Sequence, residues 1–305
     1  MSKFVELPLD QYSPTAFSAF DTAADGFTIG NARALMWLSQ LAYEANRQPT
    51  VEQVGALWLF DSIIPFIRHK VGLAGSFETC GIVGERADAV FLAFAGTDPA
   101  VWETLATDFR FVPQPETNTH AGFQAALEGA KDEIDEALDR CRRSGKPLFI
   151  AGHSLGGALA ALAAKYADSE GVSSKGVYVF GMPRAGGEVF RDAYNARLGP
   201  VTYRLVHGLD VVARIPPSGI GFRHVGRVLE CDDGEKFDPT ALSTDLPDEP
   251  AFSLGLAHTL ESGVEGVVSG HVLSRPGPGT FGPLFRFLPR PIRDHLQDCY
   301  YEALA

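Results

Sequence analysis

The stretch that most constrains this chain runs from Pro147 to Asp168, PLFIAGHSLGGALAALAAKYAD, where a short apolar run meets a glycine-flanked serine and continues into an Ala/Leu-rich pattern. Leu148 to Ala151 reads as a buried strand bounded by Pro147, and Leu155, Leu159, Leu162 and Ala163 recur at helical spacing. Between them, Gly152-His153-Ser154-Leu155-Gly156 fits G-x-S-x-G, the turn that presents a nucleophilic serine at the top of a parallel sheet. The glycines have a steric reason. Ser154 must take a strained backbone conformation while the helix packs against the incoming strand, and a Cβ at Gly152 or Gly156 would clash. The same geometry sets Ser154 Oγ at a helix N-terminus and aims the Leu155 N–H at developing negative charge. The bare pattern arises by chance in roughly one chain in ten of this length, so its meaning comes from the strand before it and the helix after it.

The flanking chain supplies a sheet for that turn. Asn31 to Ala45 places Leu35, Leu38, Leu41 and Ala42 on one helix face, and Thr50 with Gln53 forms a capping box for a helix over Val51 to Trp58. Phe77 to Val83 and Asp88 to Ala95 predict a hairpin about Gly84-Glu85-Arg86. Its second strand closes in Gly96-Thr97, a small backbone where a second oxyanion N–H is needed, with the Thr97 hydroxyl beside it. Residues 99–118 form a candidate lid, because a helix exposing Val101, Trp102 and Leu105 must lie over something apolar; a helix docked permanently on the core is the alternative. His120 opens a helix expected to reach about Arg143, with acidic residues early and arginines late, as the helix dipole favours.

After the elbow helix, Val177 to Phe180, Gly187 to Leu198 and Val201 to Val206 read as strand, helix and strand, which means parallel strands with right-handed crossovers. Asp210 follows the last of these, where catalytic acids of such sheets stand, although an Asp in an H-G-x-D turn can equally be a turn residue. Phe222 to Leu229 is expected to be a further hairpin carrying His224. His258 and His271 lie in a stretch of scattered apolar and glycine residues, and Asp294-His295 precedes a terminal aromatic helix. The residues alone leave His258 and His271 open beside His295 as a catalytic base.

Composition narrows the class. With 305 residues, 45% of them hydrophobic, the chain can bury a sizeable core as one α/β domain over residues 1–305. A net charge of −12 and no Lys/Arg cluster argue against a nucleic-acid partner. The N-terminus has no apolar run of signal-peptide length, and the most apolar window is interrupted by His153 and Ser154 and ended by Lys165, so neither a secretory signal nor a membrane span is expected. Cys80, Cys141, Cys231 and Cys299 show neither C-x-x-C nor metal-ligand spacing. They read as unpaired thiols of a cytoplasmic protein, with disulfides in a secreted enzyme as the rival. No metal or cofactor is expected.

Taken together, the motifs resemble the class 3 lipase family, the fungal-type triacylglycerol lipases and their bacterial relatives. Phe94-Ala95-Gly96-Thr97 resembles the family's oxyanion strand end, Val101 to Pro113 its lid helix and following segment, and His120-Ala121-Gly122-Phe123 its H-x-G-F helix start. Gly152 to Gly157 matches the elbow, Phe180-Gly181-Met182-Pro183-Arg184-Ala185-Gly186 the Y/F-G-x-P-R-x-G strand, and Asp210 to Pro217 with Phe222 to Gly226 the acid turn and the F-x-H-x-G hairpin. Asp294-His295 is similar to the closing D-H. The resemblance implies an α/β-hydrolase with Ser154 as nucleophile, Asp210 as orienting acid, His295 as base, and the N–H groups of Thr97 and Leu155 as oxyanion donors. It also implies that the hairpin His224 is structural. Two departures stand out: Ala95 replaces the family's usual Arg, removing a lid-closing ion pair, and residues 231–290 exceed the fungal pattern, as an insertion or second cap would. The implied activity is a serine-dependent lipase acting on apolar esters, including those at a lipid–water interface. Rival readings are a carboxylesterase for small soluble esters, including a feruloyl type, and a catalytically weak lipid-binding module.

Overall fold

The computed structural model describes residues 6–72, 75–96, 118–243 and 290–305. Helix α1 (Ile29–Ala42) starts where the Thr28 hydroxyl accepts the Asn31 N–H at 3.1 Å. Helix α2 (Gln48–Leu57) begins earlier than the capping box at Thr50 suggests. Pro49 occupies its first turn, where a missing N–H costs nothing, so Thr50 lies inside the helix and does not cap it. Its far end closes with Phe60 N–H on the Gly55 carbonyl at 2.9 Å and Leu59 N–H on that of Ala56 at 3.1 Å, which forces Leu59 to φ 62°.

Strand β2 (Gly75–Glu85) runs antiparallel to both its neighbours, β1 (Ser62–Gly72) and β3 (Val90–Phe94). β2 and β3 form the expected hairpin. β1 was hidden in the sequence by Pro65, which a ladder interior would not tolerate; it stands at the sheet edge, where a missing N–H faces outward. The long helix expected from His120 is two, α3 (Ala121–Gly129) and α4 (Lys131–Ser144), broken at Ala130. Then follow β4 (Leu148–His153), α5 (Leu155–Ser169), β5 (Ser174–Phe180), β6 (Gly186–Gly187), α6 (Glu188–Leu198), β7 (Thr202–His207), β8 (Phe222–Arg223) and β9 (Arg227–Cys231). After a helical turn at Arg290–Arg293, α7 (Gln297–Ala303) ends the described chain.

The main sheet has the order β1-β2-β3-β4-β5-β7-β9, and every pairing from β3 onward is parallel. The expected hairpin over 222–229 is not one. β8 pairs with β6 in a separate ribbon, β9 adds to β7 in parallel, and His224 lies in the link between them. Both faces of the parallel strands are covered, which is why they read as continuous apolar runs and not as alternation. Phe91, Ala93, Phe149, Ala151, Tyr178 and Phe180 pack on the α1, α2 and α7 side. Val90, Leu92, Phe94, Ile150, Val177 and Val179 pack on the α3 to α6 side. Beyond β9, Ser243 pairs with Val228, and Phe237 stacks on Tyr300 at 6.3 Å between centroids. The rest of the expected 231–290 insertion, up to residue 289, and nearly all of the candidate lid lie outside the described residues.

Candidate active site

β4 drives the chain into the elbow, and Ser154 takes φ 60° and ψ −132° with its N–H on the Phe180 carbonyl at 2.8 Å. Holding a serine there costs of order 1–3 kcal/mol, which the surrounding packing must supply. The packing is tight enough to do so. A Cβ on Gly152 would lie 2.1 Å from the Gly156 carbonyl oxygen, and one on Gly156 would lie 2.3 Å from that of Phe94. Ser154 Oγ is buried and makes no hydrogen bond among the described residues. Leu155 opens α5 directly behind it, so the positive end of that helix faces the serine.

Three residues past the end of β7, Asp210 is fully buried. The Gly208 turn, at φ 53°, brings it inward. Its carboxylate receives the His295 Nδ1–H at 2.8 and 2.9 Å, the Val212 N–H at 2.8 Å and the Tyr300 hydroxyl at 2.5 Å. Burial alone would raise its pKa; the charge and hydrogen bond of His295, then the Tyr300 hydroxyl, outweigh burial and hold the carboxyl below its ordinary range. With Nδ1 committed as donor to Asp210, His295 keeps Nε2 as its basic nitrogen. Gly181 makes this approach possible, since at φ 57° its missing Cβ would stand 2.5 Å from Asp210 Oδ2 and 2.8 Å from His295 Nδ1.

His153, next to Ser154, links the elbow to His295. Its ring lies 4.6 Å from the His295 ring, centroid to centroid. Nε2 meets the His295 carbonyl at 2.9 Å and can only donate to it, so Nδ1 accepts from the Tyr43 hydroxyl, also at 2.9 Å. Burial first, and the neighbouring His295 charge second, push His153 down to about 3, so it stays neutral. Tyr43 Oη also stands where a Cβ on Gly96 would be, at 2.5 Å, behind the end of β3.

Of the residues singled out from sequence, Ser154, Leu155, Asp210 and His295 are therefore at one end of the sheet. Asp210 and His295 are in direct contact, and His153, beside Ser154 in the chain, meets the His295 carbonyl. His224 is buried with Nε2–H on the Ala213 carbonyl at 2.7 Å, and burial and the nearby arginines Arg204 and Arg184 push its pKa well below the usual value. Thr97, Val101, Trp102 and Leu105, with His258 and His271, lie outside the described residues. Sequence reasoning missed Tyr43, Tyr300 and the contact made by His153. Only Tyr300 left a trace, as the aromatic residue in the helix after the D-H pair. Among the described residues no group of three His, Cys, Asp or Glu side chains is arranged to hold a metal ion, and no helix is long and apolar enough to cross a membrane.

Residues 91–219 match the family profile described as lipase (class 3). The chain is 36% identical over 118 residues to secreted mono- and diacylglycerol lipase 1 of Fusarium solani, covering 38% of this chain and 34% of that protein. It is 26% identical over 214 residues to a lipase of Caenorhabditis elegans, covering 66% of this chain and 59% of the relative. The chain thus spans about a third of the first relative's length and under two thirds of the second's. Among solved structures, the native Rhizomucor miehei lipase propeptide complex superposes with a TM-score of 0.56 at 21% identity, covering 81% of this chain and 83% of that one. At that identity the likeness speaks for the fold alone, which is that of an α/β-hydrolase.

Proposed function

We propose that this chain, which carries a class 3 lipase segment over residues 91–219, is a serine-dependent carboxylic ester hydrolase that cleaves acylglycerols or similar esters of apolar acids through an acyl-enzyme. The observation that supports this most is the buried Asp210–His295 contact at 2.8 Å, beside a serine held at φ 60° at a helix N-terminus. Ser154 Oγ attacks the ester carbonyl while His295 Nε2 takes its proton; Asp210 fixes the imidazole tautomer and stabilises the imidazolium. The N–H groups of Leu155 and Thr97 receive the oxyanion, at about 3 kcal/mol per donor in comparable hydrolases. His295 then returns its proton to the leaving alcohol, and a water activated by the same nitrogen releases the acid. No step calls for a cofactor.

Acylglycerol substrates are proposed because the Fusarium relative is named a mono- and diacylglycerol lipase and because the segment at Val101, Trp102 and Leu105 is apolar enough to meet an acyl chain or a lipid–water interface. Nothing in the fold favours a small-ester carboxylesterase or an inactive lipid-binding module over this reading. Location is proposed on the thiols: all four cysteines are free, as a reducing compartment keeps them, whereas the Fusarium relative is named secreted.

The test is initial rate against concentration for a short-chain and a long-chain glycerol ester, carried through their solubility limits, with Ser154→Ala alongside. A rate that jumps when the long-chain ester forms an interface supports the lipase reading. Saturation below that limit with short chains preferred favours the carboxylesterase, and activity surviving in Ser154→Ala refutes the nucleophile.

A further inference from the structure

Beside His295 stands a second buried carboxylate that the reaction does not use. Asp294 is fully buried, and its Oδ2 accepts the Leu209 N–H at 2.9 Å. It lies so close over the turn that a Cβ on Gly208 would stand 2.3 Å from the same oxygen. Two residues further on, the Val211 N–H ends on the Pro291 carbonyl at 3.2 Å. The residues on both sides of Asp210 therefore give their N–H groups to the segment that carries His295. From the opposite side, the Gly208 N–H is held by the Cys231 carbonyl at 2.8 Å. Counter-charge comes from Arg290 Nε at 3.3 Å and Arg293 Nη2 at 3.4 Å, and both guanidinium groups also meet Asp233.

We propose that Asp294 is a positioning residue that keeps Asp210 in register with His295 by gripping the turn that precedes the acid. The proposal rests on the reading of Ser154, His295 and Asp210 as the triad. Its physical basis is that the acid and the base come from distant segments, β7 and the 290–295 turn, with no shared element to fix their separation. A contact one residue removed from each does so. It acts on geometry, so its loss should slow the chemical step and leave substrate affinity alone; a misplacement of about 1 Å in such a group costs on the order of 100-fold.

The experiment measures kcat and KM on a soluble short-chain ester for the wild type, Asp294→Ala and Asp294→Asn, with active sites counted by a phosphonate ester that labels the serine. The low-field proton resonance of the His295–Asp210 hydrogen bond is recorded in parallel. The expected result is a kcat per site about 10- to 100-fold lower in Asp294→Ala, with KM within about twofold and the resonance shifted or broadened. Asp294→Asn keeps an oxygen for the Leu209 N–H and should retain most of the rate. Unchanged kcat per site with fewer titratable sites would mean a purely structural role and overturns the proposal. So does a rise in KM alone, or an Asp294→Asn as slow as Asp294→Ala, which would make charge the operative property. Should Asp294→Ala fail to fold, Asp294→Glu keeps the charge but moves the oxygens by about 1.5 Å, and a wild-type kcat per site in that variant overturns the proposal equally. A Ser154→Ala control that retains activity would sink the triad reading itself, independently of Asp294.

Discussion

Three of the buried histidines make this fold sensitive to mild acid, and His120 allows the effect to be isolated. His120 caps α3, its Nδ1 accepting the Gly122 N–H at 3.1 Å, and its ring packs against Phe123 at 4.5 Å between centroids. Burial pushes it down to about 4, while His153 falls to about 3 and His224 well below its usual value. The unfolded chain takes up protons on these rings below pH about 6.5, and the folded chain does not, so stability falls as the pH is lowered through that window. At pH 5 a histidine with an unfolded pKa of about 6.5 and a folded one near 4 has lost about 2 kcal/mol. His120 and His153 together cost the fold about 4 kcal/mol between pH 7 and 5, and His224 adds in the same direction, a large part of an ordinary domain's stability. Two carboxylates bear on the window differently. Glu44, raised by burial, binds its proton more readily when folded and returns some stability on acidification. Asp210, held low, loses its contribution only below about pH 4. The perturbation is His120→Asn, since Asn accepts the capping N–H and does not titrate. Urea unfolding at pH 7 and pH 5 is the assay, and the variant should lose about 2 kcal/mol less than the wild type between the two. Parallel losses in the two proteins would refute the reasoning, as would a wild-type stability that is level across the window.

The Tyr300→Phe substitution keeps the ring stacked on Phe237 but removes the hydroxyl from Asp210, and should cost about 2 kcal/mol in urea unfolding; a loss under about 0.5 kcal/mol would mean the hydroxyl contributes no bond to the charge. Leu59 is 75% exposed at φ 62°, so Leu59→Gly should relieve backbone strain and raise stability by about 0.5–1 kcal/mol in the same assay, whereas a decrease would contradict the left-handed cap. Burial pushes the Cys80, Cys231 and Cys299 thiols up to about 12 and Cys141 to about 11. Thiol titration at pH 8 should therefore be slow on the native protein and reach four groups per chain in denaturant; fewer than four would reveal a disulfide.

Local chemistry was the legible part of this fold. The strand, elbow and helix over Leu148–Ser169 could be read because the glycine spacing, the apolar run and the helical period all lie within one stretch. The parallel strands β5 and β7 were readable for the same reason, as buried runs alternating with a helix. β1 was not, because Pro65 argues against a strand unless the strand is known to be at an edge, and edge position is a property of the finished sheet. The 222–229 stretch misled in the same way: two short strands in sequence look like a hairpin, and only their partners β6 and β7 separate them. In the site, the place after β7 made Asp210 a candidate beside a plain turn residue, and the family resemblance picked out both Asp210 and His295. Tyr43 and the contact that turns His153 from a motif filler into a link could not be found, since an aromatic on α1 carries no sign of which ring nitrogen it will meet.

The segment of Arg290–His295 that closes the site is held by contacts between residues far apart in the chain. Asp210 meets His295 across 85 positions, and the His153 ring meets the His295 carbonyl across 142. Ordering so long a loop costs chain entropy before any contact rewards it, so such pairings form late in a folding reaction. A refolding chain should thus recover its helical signal from local elements such as α5 well before it shows the proposed ester hydrolysis. Under the proposed function, catalytic competence is then a report on the last stage of folding, and the delay between the two signals measures how long Asp210 and His295 wait for each other.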